Sequence, residues 1–205
     1  MPKKHRKLLL ISSFVFLLFA LLTEWKEVLL FDQLFIGLAD ILSSDHMNQL
    51  MVIITDFGSA TVLTIGSCLV VVYLLLRREW PNAIMLAALM IGGSGLNLGL
   101  KSIFARQRPE EILLYDGFGY SFPSNHAMMS FIFYGFIIYW TQQERQKSRT
   151  VFMFKFFLAI LILLIGFSRI YLGVHYASNV AGGFALAIML MVIGDIVKQN
   201  IKRRP

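Results

Sequence analysis

Long apolar stretches separated by short polar punctuation dominate the chain. Six of them approach the roughly 20 residues that an α-helix needs to cross a bilayer core. They lie at about 8–25, 59–76, 82–103, 126–140, 151–168 and 176–197. The fourth, His126 to Trp140, is short and is expected to run on into Thr141 and Gln142. Arg77-Arg78 closes the second, and Trp80-Pro81 precedes the third, with the tryptophan at interfacial depth. The pattern predicts an all-α fold, a six-transmembrane-helix bundle made by a single integral-membrane domain over residues 1–205.

Residues 26–57 read differently. Val28, Leu29, Phe31, Leu34, Phe35, Leu38, Ile41 and Leu42 recur at helical spacing among Glu27, Asp32, Asp40, Asp45 and Asp56. This predicts an interfacial helical segment between helices 1 and 2, acting as a packing lid or guiding a lipid. His46, beside Asp45, reads as a cap or a solvated residue. Gly92, Gly93, Ser94, Gly95 and Gly99 in the third span, and Gly182 and Gly183 in the sixth, predict close helix contacts. Asn97, one turn before Lys101, predicts an interhelical hydrogen bond.

Composition narrows the class. Of 205 residues, 57% are hydrophobic and 15% charged, and the mean hydropathy is +0.68. That content arranged in long runs fits an integral membrane protein. The net charge of +7 raises nucleic acid as a partner, but the placement of the charge argues against it. With the N-terminus in the cytoplasm, that side carries Lys3, Lys4, Arg6, Lys7, Arg77, Arg78, Arg145, Lys147, Arg149, Lys155, Lys198, Lys202, Arg203 and Arg204. These are fourteen of the nineteen basic residues; only Lys26, Lys101, Arg106, Arg108 and Arg169 face the other side. The asymmetry predicts a multi-pass plasma-membrane protein with both termini cytoplasmic.

The basic start followed by Leu8 to Leu22 resembles a secretory signal, but no small-x-small site follows, so an uncleaved first helix is expected. His5 reads as a solvated member of this arm. Cys68, the single cysteine, rules out an internal disulfide and is expected to be a buried small residue.

Three clusters gather on the poorly basic side, each at a span end: Lys101 with Arg108-Pro109, Ser124-Asn125-His126, and Ser168-Arg169 with His175. Taken singly they have ordinary explanations. Lys101 could snorkel to the interface, Ser124 could be an N-cap, and a histidine at a helix start could be a cap. Together, three cations, two histidines and a serine fit the binding and attack of a multiply charged oxyanion. Pro109 is expected to stop the helix and fix the Arg108 guanidinium, whereas Arg106 reads as a general electrostatic contributor. Backbone N–H groups at the start of the fourth span make an anion site, approached through Phe118, Tyr120 and Phe122. Asn179, four residues after His175, shares its face on a helix. Its side-chain oxygen could accept the Nδ1–H bond and leave Nε2 free as a nucleophile. No His/Asp/Glu set has metal-ligand spacing, although Asp116 is near in sequence, and neither metal nor cofactor is expected.

These residues resemble the type 2 phosphatidic acid phosphatase family of membrane lipid phosphatases, which shares its site with vanadium haloperoxidases. The family's first motif, Lys, six residues, Arg-Pro, matches Lys101, Arg108 and Pro109. Its Pro-Ser-Gly-His motif matches Pro123, Ser124 and His126, with Asn125 replacing glycine. Its third, Ser-Arg, five residues, His, three residues, Asp, matches Ser168, Arg169 and His175, with Asn179 replacing aspartate. The resemblance implies that His175 attacks phosphorus and forms a phosphohistidine, and that His126 protonates the leaving oxygen and then helps deprotonate water. It implies that Lys101, Arg108, Arg169, Ser124 and the Asn125 N–H hold the phosphoryl oxygens. Asn179 can accept the imidazole hydrogen bond, but it supplies no negative charge and can also donate to Nδ1.

The expected function is a metal-independent phosphatase for lipid phosphates or diphosphates at the extracytoplasmic face. Undecaprenyl diphosphate, phosphatidylglycerol phosphate and phosphatidic acid are example substrates, and the bilayer is the other partner. The alternative is a lipid-phosphate binding or transport protein, catalytically impaired by Asn179.

Overall fold

The computed structural model describes residues 2–23, 29–109, 119–143 and 148–202. Eight helices fill them: α1 (Lys3–Thr23), α2 (Leu30–Ile41), α3 (Asp45–Asp56), α4 (Ala60–Leu76), α5 (Trp80–Phe104), α6 (Asn125–Gln143), α7 (Arg149–Tyr171) and α8 (Ala177–Lys202). No strand occurs among the described residues. Lys26, Glu27, Val28, Asp116, Phe118, Arg145, Lys147, Arg203 and Arg204 lie outside them.

The arrangement centres on α6, which packs against α4, α5, α7 and α8. It buries Met128, Met129, Ile132, Phe133, Tyr134 and Phe136, which explains why its sequence shows no continuous polar stripe. α1 lies along α8, α4 on α5, and α2 and α3 against α7. The outer faces are apolar: Leu76 is 79% exposed, Ile91 76% and Ile103 73%. A water-facing monomer rarely shows so much contiguous apolar surface, and the protein is integral to a membrane.

Length and composition qualify four helices as spans, α1, α5, α7 and α8, and a fifth if α3 and α4 count as one span bent by 40°. By this criterion the described residues give four or five spans, and the expected six is not confirmed. α6 is absent from that set because Asn125, His126, Thr141, Gln142 and Gln143 make both its ends polar. The segment between the first two expected spans is two helices, with a break at Leu42–Ser44. Ser44 caps α3 by accepting from the Met47 N–H at 3.3 Å, and His46 is exposed.

Several expectations about single residues change. Cys68 is exposed, because its face of α4 opens onto a groove. His5 is largely buried: its Nε2 lies 3.1 Å from Asp195 Oδ2, where α1 packs on α8. Lys198 is buried as well, donating to Asn82 Oδ1 at 2.9 Å and Gln143 Oε1 at 3.0 Å. Among the α5 glycines, Gly93 alone is tight, a built Cβ lying 3.1 Å from Ile132, whereas Gly92, Gly95 and Gly99 face open space. Gly182 and Gly183 of α8 are close-packed. A Cβ at Gly182 would lie 2.6 Å from the Phe122 ring, and one at Gly183 would lie 2.7 Å from Ser124 O. This smooth patch on α8 seats the segment leading into α6.

Candidate active site

The Lys101 cluster starts at the end of α5. Ala105, at φ 42°, caps the helix in a left-handed conformation, its N–H donating to Lys101 O at 2.9 Å. The helix thus stops four residues before Pro109, so the proline is not the terminator. Arg108 is aimed by its own hydrogen bonds: Nε to Gly119 O at 2.9 Å and Nη1 to Val174 O at 2.7 Å. Its Nη1 also lies 3.4 Å from His175 Nε2.

Phe122, joined to Pro123 by a cis peptide bond, anchors the segment before α6. Its ring is fully buried, 5.8 Å from Phe16 and 5.1 Å from Phe104 between centroids. Phe122 is therefore a packing residue, while Tyr120 is 40% exposed. Asn97 donates to Pro123 O at 3.3 Å in the segment before α6, and to Met128 Sδ on α6 at 3.8 Å, a weak form of the expected interhelical bond. The Ser124 N–H donates to Asn179 O at 3.0 Å, so the backbone itself joins this cluster to α8. Ser124 Oγ is 3.5 Å from the Ala127 N–H, a weak cap, and Asn125 and His126 open the first turn of α6.

Arg169 ends α7, buried, with Nη1 donating to Thr55 Oγ1 at 2.7 Å. Gly173, at φ 71°, then reverses the chain in the left-handed region that glycine enters without strain. The N–H groups of Val174 and His175 return to Arg169 O at 3.2 and 3.0 Å. His175 consequently sits in a turn two residues before α8, and the helical-face argument linking it to Asn179 does not apply. The Asn179 oxygen accepts from Arg106 Nη1 at 2.5 Å. Asn179 Nδ2 and His175 Nδ1 are both buried without a hydrogen-bond partner among the described residues.

The three clusters meet. The charges of Arg169, Lys101 and Arg108 reach both imidazoles, and His126 acts on His175. Burial first, and then Arg169, Arg108, Lys101 and His126, hold the His175 imidazole well below its ordinary pKa of 6.5, so it is neutral. Because guanidinium only donates, its approach to Nε2 favours the tautomer with the proton on Nδ1 and the lone pair on Nε2, turned towards Arg108. A neutral nitrogen nucleophile among three cations suits attack on an anionic phosphoryl group.

Sequence reasoning missed four contributors. Thr55 holds Arg169, and Gly58 lies against His126, a built Cβ falling 3.3 Å from its ring. Arg106 is 6% exposed and Asp32 fully buried, and their ion pair at 3.0 Å replaces the loose electrostatic role expected of Arg106. Asp32 had a legible signal, since it shares a helical face with Phe35 and Ala39 three and seven residues on.

A groove of about 580 Å³ runs between α4 and α5. Leu63, Cys68, Val71, Val72, Met90 and Ile91 line it, and it reaches Gly58 and Asn125 beside His126.

Known proteins resemble this chain in sequence and fold. Phosphatidylglycerophosphatase B of Bacillus subtilis (strain 168) is 29% identical over 201 residues, covering 94% of this chain and 96% of its own. The crystal structure of a transmembrane PAP2 type phosphatidylglycerolphosphate phosphatase from Bacillus subtilis superposes with a TM-score of 0.81. It is 25% identical and covers 95% of this chain and 98% of its own. Aquifex aeolicus LpxE shares the fold at a TM-score of 0.64 and 23% identity, over 85% of this chain and 98% of its own. The family model described as PAP2 superfamily matches residues 82–202, which contain all three clusters, and the chain belongs to that superfamily.

Proposed function

We propose that the protein is a metal-independent lipid phosphate phosphatase working through a phosphohistidine on His175. The observation that carries this reading is the approach of Arg108 to His175 Nε2 within reach of Lys101, Arg169 and His126. The phosphate would sit among Lys101, Arg108, Arg169, the Ser124 hydroxyl and the Asn125 N–H. His175 Nε2 gives its lone pair to phosphorus as the bond to the lipid oxygen breaks, and that oxygen takes a proton from His126, which the bound phosphate's negative charge favours in its protonated form. Water then attacks the phosphohistidine, His126 takes the water's proton, and phosphate leaves as His175 is regenerated. The apolar groove between α4 and α5 suits an acyl or prenyl tail whose head rests at Asn125, which favours a lipid over a soluble ester.

The relatives' names point to phosphatidylglycerol phosphate, with other lipid phosphates and diphosphates as candidates. The apolar runs support six spans, with α6 the fourth of them, and the basic-residue asymmetry supports cytoplasmic termini and an extracytoplasmic site, with residues 1–205 acting as one domain. Phosphate release from a panel of lipid phosphates and diphosphates, with chelator present, tests the reading. Turnover that survives chelation supports it, and turnover that requires added metal contradicts it.

One observation favours the second reading, a binding protein with impaired chemistry: the Asn179 oxygen is held by Arg106 and gives His175 Nδ1 no acceptor. Tight binding of an unchanged lipid phosphate by the wild-type protein would select it.

A further inference from the structure

We infer that Asp32 and Arg106 are positioning residues for the reaction proposed above, fixing the turn that carries His175 where residue 179 makes no bond to the imidazole. Asp32 stands on α2, outside the three clusters, yet it is fully buried beneath them. Its Oδ1 accepts from the Ser178 N–H at 2.7 Å, and its Oδ2 accepts from Ser178 Oγ at 2.9 Å and Arg106 Nη2 at 3.0 Å. Arg106 Nη1 donates to Ser178 Oγ at 2.6 Å and Asn179 Oδ1 at 2.5 Å, and the guanidinium lies 4.3 Å from the centre of the Tyr176 ring. The Arg106 carbonyl accepts from the Ser121 N–H at 2.8 Å and from Ser121 Oγ at 3.1 Å.

One residue therefore ties three segments to α2: the stretch leading to Arg108, the approach to Ser124, and residues 176–179 behind His175. The imidazole itself has no orienting partner on Nδ1 among the described residues, so its placement depends on this backbone frame. The Asn179 amide is oriented by the same contact. Since Arg106 can only donate, Oδ1 must face it and Nδ2 is left as a donor. A carboxylate at 179 could serve both neighbours, whereas the amide serves Arg106.

A positioning role differs from a merely structural one in what it changes. Arg106 commits its guanidinium to Asp32, Ser178 and Asn179, so its loss acts on kcat more than on KM. The test is the double variant Asp32→Leu/Arg106→Met in the full-length protein in detergent micelles. Replacing both members of a buried ion pair by apolar residues is often neutral for stability. Expected are a folded protein whose thermal midpoint falls because the Ser178 N–H and the Asn179 oxygen lose buried partners, a KM within about twofold and a kcat reduced about 10- to 100-fold, the scale of an ångström-level misplacement. Retained kcat in the folded double variant overturns the inference. If the double variant does not fold, Arg106→Lys decides. It keeps a cation but has one nitrogen where arginine uses two, Nη2 on Asp32 and Nη1 on Ser178 and Asn179, so kcat should fall by the same order, and retained kcat overturns the inference. A wild-type protein inactive on every lipid phosphate would sink the underlying function too, whereas wild-type turnover with unimpaired variants sinks the positioning role alone.

Discussion

Gly183→Ala isolates the contact that seats the Ser124 segment on α8. An added Cβ would stand 2.7 Å from Ser124 O and 3.4 Å from the Met128 N. Ordinary contact begins at 3.4 Å, so the carbonyl must retreat by about 0.7 Å (3.4 − 2.7). That carbonyl is held by the Met128 N–H at 3.0 Å, and the Ser124 N–H is held by Asn179 O at 3.0 Å. The retreat therefore displaces Ser124 and the first turn of α6, with Asn125 and His126 on it. Misplacement by 1 Å costs catalysis about 10²-fold, so a loss of roughly 30-fold in kcat is expected here. Helix propensity works in the opposite direction, since alanine is favoured over glycine by about 1 kcal/mol inside a helix. Phosphate release in mixed micelles, with thermal unfolding as the fold control, measures both effects. Gly92→Ala, which adds its methyl group to open space on α5, serves as the reference. A Gly183→Ala protein as active as Gly92→Ala would refute the reasoning.

Three further outcomes follow from the same geometry. Thr55→Val keeps the shape but removes the acceptor 2.7 Å from Arg169 Nη1; a hydrogen bond to a charged group is worth about 1.5–3 kcal/mol. A loss of about tenfold or more in kcat/KM is expected, and unchanged kinetics would contradict the anchoring role. Gly95 faces the groove with open space around it, so Gly95→Phe should displace about two methylenes of a lipid tail, near 0.8 kcal/mol each. KM for a long-chain lipid phosphate should then rise about tenfold, while a short soluble ester is unaffected; equal effects on both would exclude the groove as the tail site. His175 should remain neutral as the pH falls through 6.5, because burial and then its cationic neighbours depress its pKa. Stability linked to this depressed group is full above pH 6.5 and declines as the pH falls below it. Nitrogen NMR of labelled histidine, assigned against His175→Gln, should show no titration centred at pH 6.5.

The residues singled out from the sequence sit at helix ends. Lys101, Ser124, His126, Arg169 and His175 each stand within a few residues of a terminus, where a polar residue next to an apolar run is easy to read. The sequence reading failed where long-range partners decide. Thr55 and Arg169 are 114 positions apart, and Arg106 meets Asp32 at 74; no local periodicity reports either pairing. Arg106 was read as a general electrostatic contributor and Lys198 only as a cytoplasmic-side charge, because burial depends on partners, here Asp32 and the Asn82–Gln143 pair. Asn179 was assigned to His175 by counting four residues along a helix. Gly173 breaks that count by turning the chain before α8 begins. α6 was legible as a helix but its centrality was not, since an all-round buried helix and a lipid-facing one carry similar apolar residues.

The most direct test of the account is chemical trapping of His175. Rapid acid-free quenching after mixing with a ³²P-labelled lipid phosphate, followed by peptide mapping, should place label on the peptide containing His175. The label should resist base, vanish in acid, and be absent from His175→Gln. Label on another residue, or full turnover by His175→Gln, would contradict the mechanism.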